Sequence, residues 1–92
     1  MATVHIPSLL RHLTDGLLEL PVEVVPGERP TVRTLLERLD ASHPGLLAGM
    51  LMDDDLMPGL AVFVDDEQAL MALGARVEPD SVVHIIPPVV GG

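Results

Sequence analysis

The 92-residue chain contains no cysteine, lysine, tryptophan or tyrosine, and Phe63 is its one large aromatic residue. Each absence excludes something. Without cysteine there is no disulfide framework, thiolate metal site or thiol nucleophile, so the fold holds by packing alone. Without lysine there is no Schiff-base chemistry, no phosphate-loop lysine and no site for self-conjugation. Without aromatic platforms the chain has nothing on which to stack bases. Positive charge is scarce: five arginines stand against fourteen acids, for a formal charge of −9. Phosphate backbones and anionic membranes repel such a chain, whereas a protein surface rich in Arg and Lys attracts it. No apolar run approaches the roughly 20 residues of a membrane helix, and the N-terminus lacks the basic start and apolar stretch of a signal peptide. A cytoplasmic protein is the default expectation.

What is present is aliphatic: 48% of residues are apolar, with sixteen Leu and twelve Val. That suits one small folded domain, which buries only roughly 60 to 70% of its unfolded surface. A two-domain enzyme with a cleft is excluded by length.

Thr3 to Pro7 alternates and carries β-branched residues, which predicts a strand ended by Pro7. Ser8 to Leu13 is apolar with Arg11 and His12, and Thr14-Asp15-Gly16 reads as a turn. Leu18, Leu20, Val22 and Val24 recur at period two, predicting a second strand over 18–25 that forms a hairpin with the first. Thr31 is the expected N-cap of a helix whose stripe is Val32, Leu35, Leu36 and Leu39. Pro44-Gly45 stops it. Leu46 to Met52 is expected to add a helical turn or two, and Asp53-Asp54-Asp55 to form a solvated loop. Leu60 to Val64 is a third strand, turned by Asp65-Asp66-Glu67. Gln68 to Gly74 fits either a short strand or a helical turn. After a turn at Pro79-Asp80-Ser81, the β-branched run Ser81 to Ile86 predicts a final, central strand. This order gives an α+β class, one helix across one face of a mixed sheet.

The end of the chain is the most informative part. Pro87 and Pro88 lack N–H groups and fix φ near −65°, so the strand ladder must stop at Ile86 and an extended stem follow. Two valines and then Gly91-Gly92 come after. A Gly-Gly segment has no side chains and can thread a narrow channel to deliver its α-carboxylate to a buried site. There ATP can convert the carboxylate to an acyl-adenylate, from which a sulfur nucleophile displaces AMP to leave a thiocarboxylate.

Val82 to Gly92, VVHIIPPVVGG, resembles the C-terminus of the MoaD/ThiS family of ubiquitin-like sulfur carriers. The opening TVHIPSLLRHLTDG resembles the same family, its Ile-Pro-Ser-Leu-Leu-Arg portion being most similar to carriers that feed cysteine synthesis. The IIPPVVGG ending is closer to the small subunit of molybdopterin synthase. The resemblance implies a ubiquitin-like β-grasp domain over 1–86 and an extended tail over 87–92. It implies that Gly92 is adenylated and thiocarboxylated by an ATP- and Mg²⁺-using partner of the ubiquitin-activating type. Gly91, Val90, Val89, Pro88 and Pro87 would enter that partner's active site, with Ile86, and Phe63 on the sheet, as candidate contacts. A sulfur donor (a sulfurtransferase or persulfide enzyme) and an acceptor enzyme (cysteine-synthase-like, or the large subunit of molybdopterin synthase) complete the implied partners. The chain itself would be a carrier and no enzyme. A subunit of molybdopterin synthase, a lysine-directed protein modifier and a plain interaction module are the alternatives.

The other chemistry-bearing residues read as structural. His5, His12, His43 and His84 have no helical ligand spacing, so no metal site is expected. The acidic triplets are not spaced as a calcium loop. Ser8, Ser42 and Ser81 lack a nucleophile-elbow context. Met50, Met52, Met57 and Met71 are expected to fill core gaps, with Met50 and Met52 a partner surface if exposed. Arg11 is expected to pair with a surface carboxylate.

Overall fold

Alternation along the first and last strands decides the architecture. The computed structural model describes residues 1–87. In chain order it contains β1 (Ala2–His5), β2 (Glu19–Val22), α1 (Val32–Ser42), β3 (Leu51–Met52), β4 (Asp55–Leu56), β5 (Ala61–Val64), β6 (Glu67–Gln68) and β7 (Val82–Ile86). Short 3₁₀ segments occupy Ser8–Leu13, Ala48–Met50 and Ala72–Gly74. The main sheet runs β2-β1-β7-β5-β6, and β3-β4 is a separate hairpin. β7 lies in the centre, parallel to β1 and antiparallel to β5. A β-branched run is suited to such a position. Ala2 and Val4 of β1, Leu20 and Val22 of β2, Val62 of β5, and Val83 and Ile85 of β7 are all buried. The helical stripe Val32, Leu35, Leu36 and Leu39 is buried in the same core cluster, so α1 covers one face of the sheet.

The start of the helix is fixed twice. Thr31 Oγ1 accepts a hydrogen bond from the Thr34 N–H at 3.2 Å. The Val32 N–H donates to the Ala75 carbonyl, and Val77 N–H to that of Pro30, both at 2.9 Å. At the other end the His43 N–H donates to the Leu39 carbonyl, and Gly45 takes a φ of +93° that a β-carbon disfavours.

Several boundaries differ from expectation. The first strand ends at His5, because Pro7, which has no N–H, instead caps the 3₁₀ segment Ser8–Leu13. The second is four residues long rather than eight. Among the described residues β2 lies at the sheet edge and pairs with β1 alone, so the ladder ends where β1 does. Beyond it Val24 is still buried, and Val25 enters a turn in which the Glu28 N–H donates to its carbonyl at 2.9 Å. Leu60 stands outside β5, its N–H bonded to the Met57 carbonyl in a turn. Residues 46–52 divide between a 3₁₀ turn and β3. The acidic triplet after them is divided: Asp53 and Asp54 form a turn at φ +53° and +65°, and Asp55 begins β4. Asp65 and Asp66, at +50° and +71°, turn β5 into β6 in the same way. Both pairs adopt the backbone of a two-residue hairpin loop, which Asp tolerates better than most residues. The ambiguous stretch Gln68 to Gly74 contains the end of β6 and a 3₁₀ turn.

The methionines also divide. Met50 is fully buried and Met57 partly so, but Met52 and Met71 are exposed, not core-filling. Met52 adjoins the tight turn of the β3–β4 hairpin, and Met71 lies in the loop beyond the edge strand β6. No helix among the described residues is long and apolar enough to cross a membrane.

Candidate functional site

β7 carries the chain through the middle of the sheet and out at Ile86. Because successive strand residues face opposite sides, burial of Val83 and Ile85 turns Val82, His84 and Ile86 onto the face that α1 leaves open. Register then sets their neighbours. Phe63 pairs with His84, Ala61 with Ile86, His5 with His84 on the other side, Glu19 with His5, and Gln68 with Phe63. One row therefore crosses all five strands in the order Glu19, His5, His84, Phe63, Gln68. Ile86 lies one step along β7 from this row, diagonal to Phe63, at a separation of roughly 7–8 Å. The structure thus brings the two expected contact residues onto one face. Phe63 is half-buried there, and Ile86 is 40% exposed, a large apolar side chain left to solvent.

The centre of the row was not anticipated. The rings of His5 and His84 stack with centroids 4.2 Å apart and planes 19° from parallel. His5 Nδ1 also lies 3.8 Å from Glu19 Oε1. The sequence does hold a signal: Thr3-Val4-His5 and Val82-Val83-His84 share one pattern, and parallel pairing of first and last strands aligns them. Among the described residues no cluster of three His, Cys, Asp or Glu is placed to hold a metal ion.

Next to Ile86 in the chain, Pro87 lines an apolar groove of about 250 Å³. Pro7, Leu9 and Leu10 form one wall, Met57, Pro58 and Leu60 another, with Gly49 and Pro87 completing the lining. Gly49 lacks a β-carbon where one would stand 3.1 Å from Leu10 Cδ2, so Leu10 keeps its place in the wall. Leu9 is 78% exposed at the rim. A second hollow, lined by Val64, Asp65, Glu67, Gln68, Ala69 and Arg76, lies at the opposite end of β7 from Pro87.

Pro87 is the one tail residue described, and it is exposed. Pro88, Val89, Val90, Gly91 and Gly92 lie outside the described residues. Among the described residues Arg11 forms no ion pair, contrary to expectation, whereas Arg29, Arg33 and Arg38 pair with Glu78, Asp54 and Glu28. The 3₁₀ segment that carries Arg11 contains no acid, and its own neighbours are leucines and His12.

A mixed five-stranded sheet clasping one helix, with an apolar central strand that feeds directly into the tail, defines a small ubiquitin-like β-grasp protein. The sequence model of the ThiS family matches residues 4–92, and the chain belongs to that family of sulfur carriers. Among solved structures it is similar to CysO in the BexX/CysO complex of Amycolatopsis orientalis, at 28% identity over 100% of both chains with a TM-score of 0.85. It is similar to SAMP1 of Haloferax volcanii at 26% identity, covering 99% of this chain and 98% of that one, TM-score 0.75. A molybdopterin converting factor subunit from Pyrococcus furiosus shares the fold at 24% identity, covering 96% and 97%, TM-score 0.63. No curated protein matches the sequence.

Proposed function

We propose that the chain is a cytoplasmic co-substrate that carries sulfur as a thiocarboxylate on Gly92. The observation that carries this is a family match running over residues 4–92, through the terminal glycines, in a chain whose central strand ends at Ile86, six residues before Gly92. In a partner of the ubiquitin-activating type, a carboxylate oxygen of Gly92 attacks the α-phosphorus of ATP and pyrophosphate leaves. The partner supplies Mg²⁺ and the charge stabilisation. Hydrosulfide, delivered by a sulfur-donor enzyme, then attacks the acyl carbon; AMP leaves and the thiocarboxylate remains. At an acceptor enzyme of the cysteine-synthase or molybdopterin-synthase kind the sulfur attacks the acceptor substrate, and water then attacks the acyl carbon, breaking the C–S bond, leaving sulfur on the acceptor and restoring the Gly92 carboxylate. In this scheme Gly91 passes the narrowest part of the partner's channel, Pro87 to Val90 form the stem, and Ile86 with Phe63 contact the partner's surface.

The test is sulfur transfer by the chain lacking Gly92. Expected is complete loss of transfer with an unchanged circular dichroism spectrum; transfer that survives the deletion overturns the proposal. Similarity to an archaeal modifier protein supports a second reading, conjugation through Gly92 to lysines of other proteins. Isopeptide adducts in host extract would identify it.

A further inference from the structure

Leu70 is the most exposed large apolar side chain among the described residues, at 91%, and the adjacent Met71 is 75% exposed. The segment that carries them is tied down. The Ala69 N–H donates to the Val62 carbonyl at 2.7 Å, and the Ala72 N–H to that of Ala69 at 2.9 Å. The Gly74 N–H donates to the Met71 carbonyl at 2.8 Å, and Leu73 between them is buried in the core. Ala72 sits at φ +48°, a left-handed backbone that a β-carbon disfavours. Strain of this kind persists only where the surrounding structure imposes it, and it clusters at binding and active sites. The segment thus buries one leucine and holds two large apolar side chains out in a fixed arrangement, so binding does not have to order them.

We propose that Leu70 and Met71 are an anchor for the enzyme that activates Gly92, seated in an apolar pocket of that enzyme whose rim carries Arg or Lys; this rests on the carrier reading. Charge selects the occupant. Exposed Asp65, Asp66 and Glu67 lie in the turn and strand that lead into the pair. On the other side β4 packs beside the turn Ala72–Gly74, and its hairpin carries the exposed Asp53, Asp54 and Asp55. Two arginines stand against these acids: Arg33, paired with Asp54, and Arg76, which lines a hollow with Asp65 and Glu67. A second copy of this chain, itself at −9, is repelled, as are nucleic acids and anionic bilayers. An apolar centre with an acidic rim fits a protein pocket ringed by basic side chains.

Topology places the pair within reach of that enzyme. β6 runs antiparallel to β5, and so in the same direction as β7. Ala69 is bonded to Val62, which pairs with Ile85. Leu70 therefore leaves the sheet at the end where β7 does, with Ala69 two strand spacings, roughly 10 Å, from Ile85. A protein face that covers Ile86 extends that far, since an ordinary interface spans about 800 Å² on each partner.

The test is calorimetric titration of the full chain into the host's enzyme of the ubiquitin-activating type, at low and high salt, beside ATP-dependent pyrophosphate release by the same pair. Four forms are compared: the parent, the double variant Leu70→Ser, Met71→Ser, the double variant Asp66→Asn, Glu67→Gln, and Leu17→Ser. Leu17 is an exposed leucine ahead of β2, at the opposite edge of the sheet. Expected for the first double variant is an affinity at least about tenfold weaker, with an unchanged circular dichroism spectrum. The acidic double variant is expected to lose less, and only at low salt, while Leu17→Ser binds as the parent does. If the first double variant binds like the parent, or Leu17→Ser weakens binding as much, the inference is overturned, and the carrier reading stands as long as the parent is adenylated. A parent chain that is neither bound nor adenylated overturns the carrier reading and the inference with it.

Discussion

Ser81 is one of two fully buried polar side chains among the described residues, and its surroundings show why a serine stands there. Its hydroxyl donates to Asp65 Oδ2 at 2.9 Å and accepts from the Glu78 N–H at 2.8 Å. Asp65 Oδ1 accepts from the Val82 N–H at 2.9 Å. One hydroxyl therefore joins the β5–β6 turn to the start of the central strand. Ser81→Ala removes the hydroxyl that the Asp65 carboxylate and the Glu78 N–H share. It is expected to cost about 1–3 kcal/mol, read as a lowered urea midpoint with unchanged slope. Glu28 acts nearer the surface. Its hydrogen bond from Arg38, aided by the Val25 N–H, holds its carboxyl below the ordinary value of 4.5. A lowered folded value stabilises the fold above the unfolded value, and the benefit is lost as the pH falls through the folded one. Glu28→Gln is therefore expected to melt slightly below the parent at pH 7, with the gap closing as the pH drops below 4.5. A gap independent of pH would show that packing, not charge, is what Glu28 supplies.

At the scale of elements, local pattern and tertiary pairing contribute separately. The stripe Val32, Leu35, Leu36 and Leu39 was legible because helix period and N-cap coincide, and all four side chains are buried. Leu36→Ala is expected to destabilise by about 2–5 kcal/mol, since a fully buried side chain leaves a cavity that the sheet cannot close. An exposed control, Leu70→Ala, is expected to change little in the same denaturation series. The central position of β7 was also legible, from its β-branched run. Its parallel pairing with β1 was not, because period two gives a strand's faces and not its neighbours. The stacked His5 and His84 went unseen for that reason: each looked isolated until the two strands were side by side. The hairpin of β3 and β4 was missed because two-residue strands have no period to read. Asp-Asp there looked like a solvated loop, and it is solvated, but its left-handed backbone makes it a tight turn. Met52 and Met71 were misjudged because an unbranched apolar side chain carries no sign of its burial.

At the scale of the whole molecule, an acidic body presents an apolar exit. The chain carries a formal charge of −9, yet the point where the central strand leaves the sheet is marked by the exposed Ile86 and by an uncharged groove that Pro87 helps to line. Under the proposed function, net charge of this size would steer a basic partner toward the chain, and the apolar exit would fix where it seats. Ile86→Glu places a further acid at a site already 40% exposed, so the fold is expected to tolerate it. Binding to the activating enzyme is expected to weaken about tenfold, or ~1.4 kcal/mol. Unchanged affinity would remove Ile86 from the contact surface. The central claim concerns Gly92 itself, and the most direct measurement is the intact mass of the protein from its own host, untagged at the C-terminus. Replacing one terminal oxygen with sulfur adds about 16 Da. Methionine oxidation adds nearly the same, so fragmentation must locate the change. Expected is a fraction of molecules with the increment on Gly92, growing when ATP and a sulfur source are supplied to the extract. An unmodified Gly92 under those conditions would contradict the carrier reading.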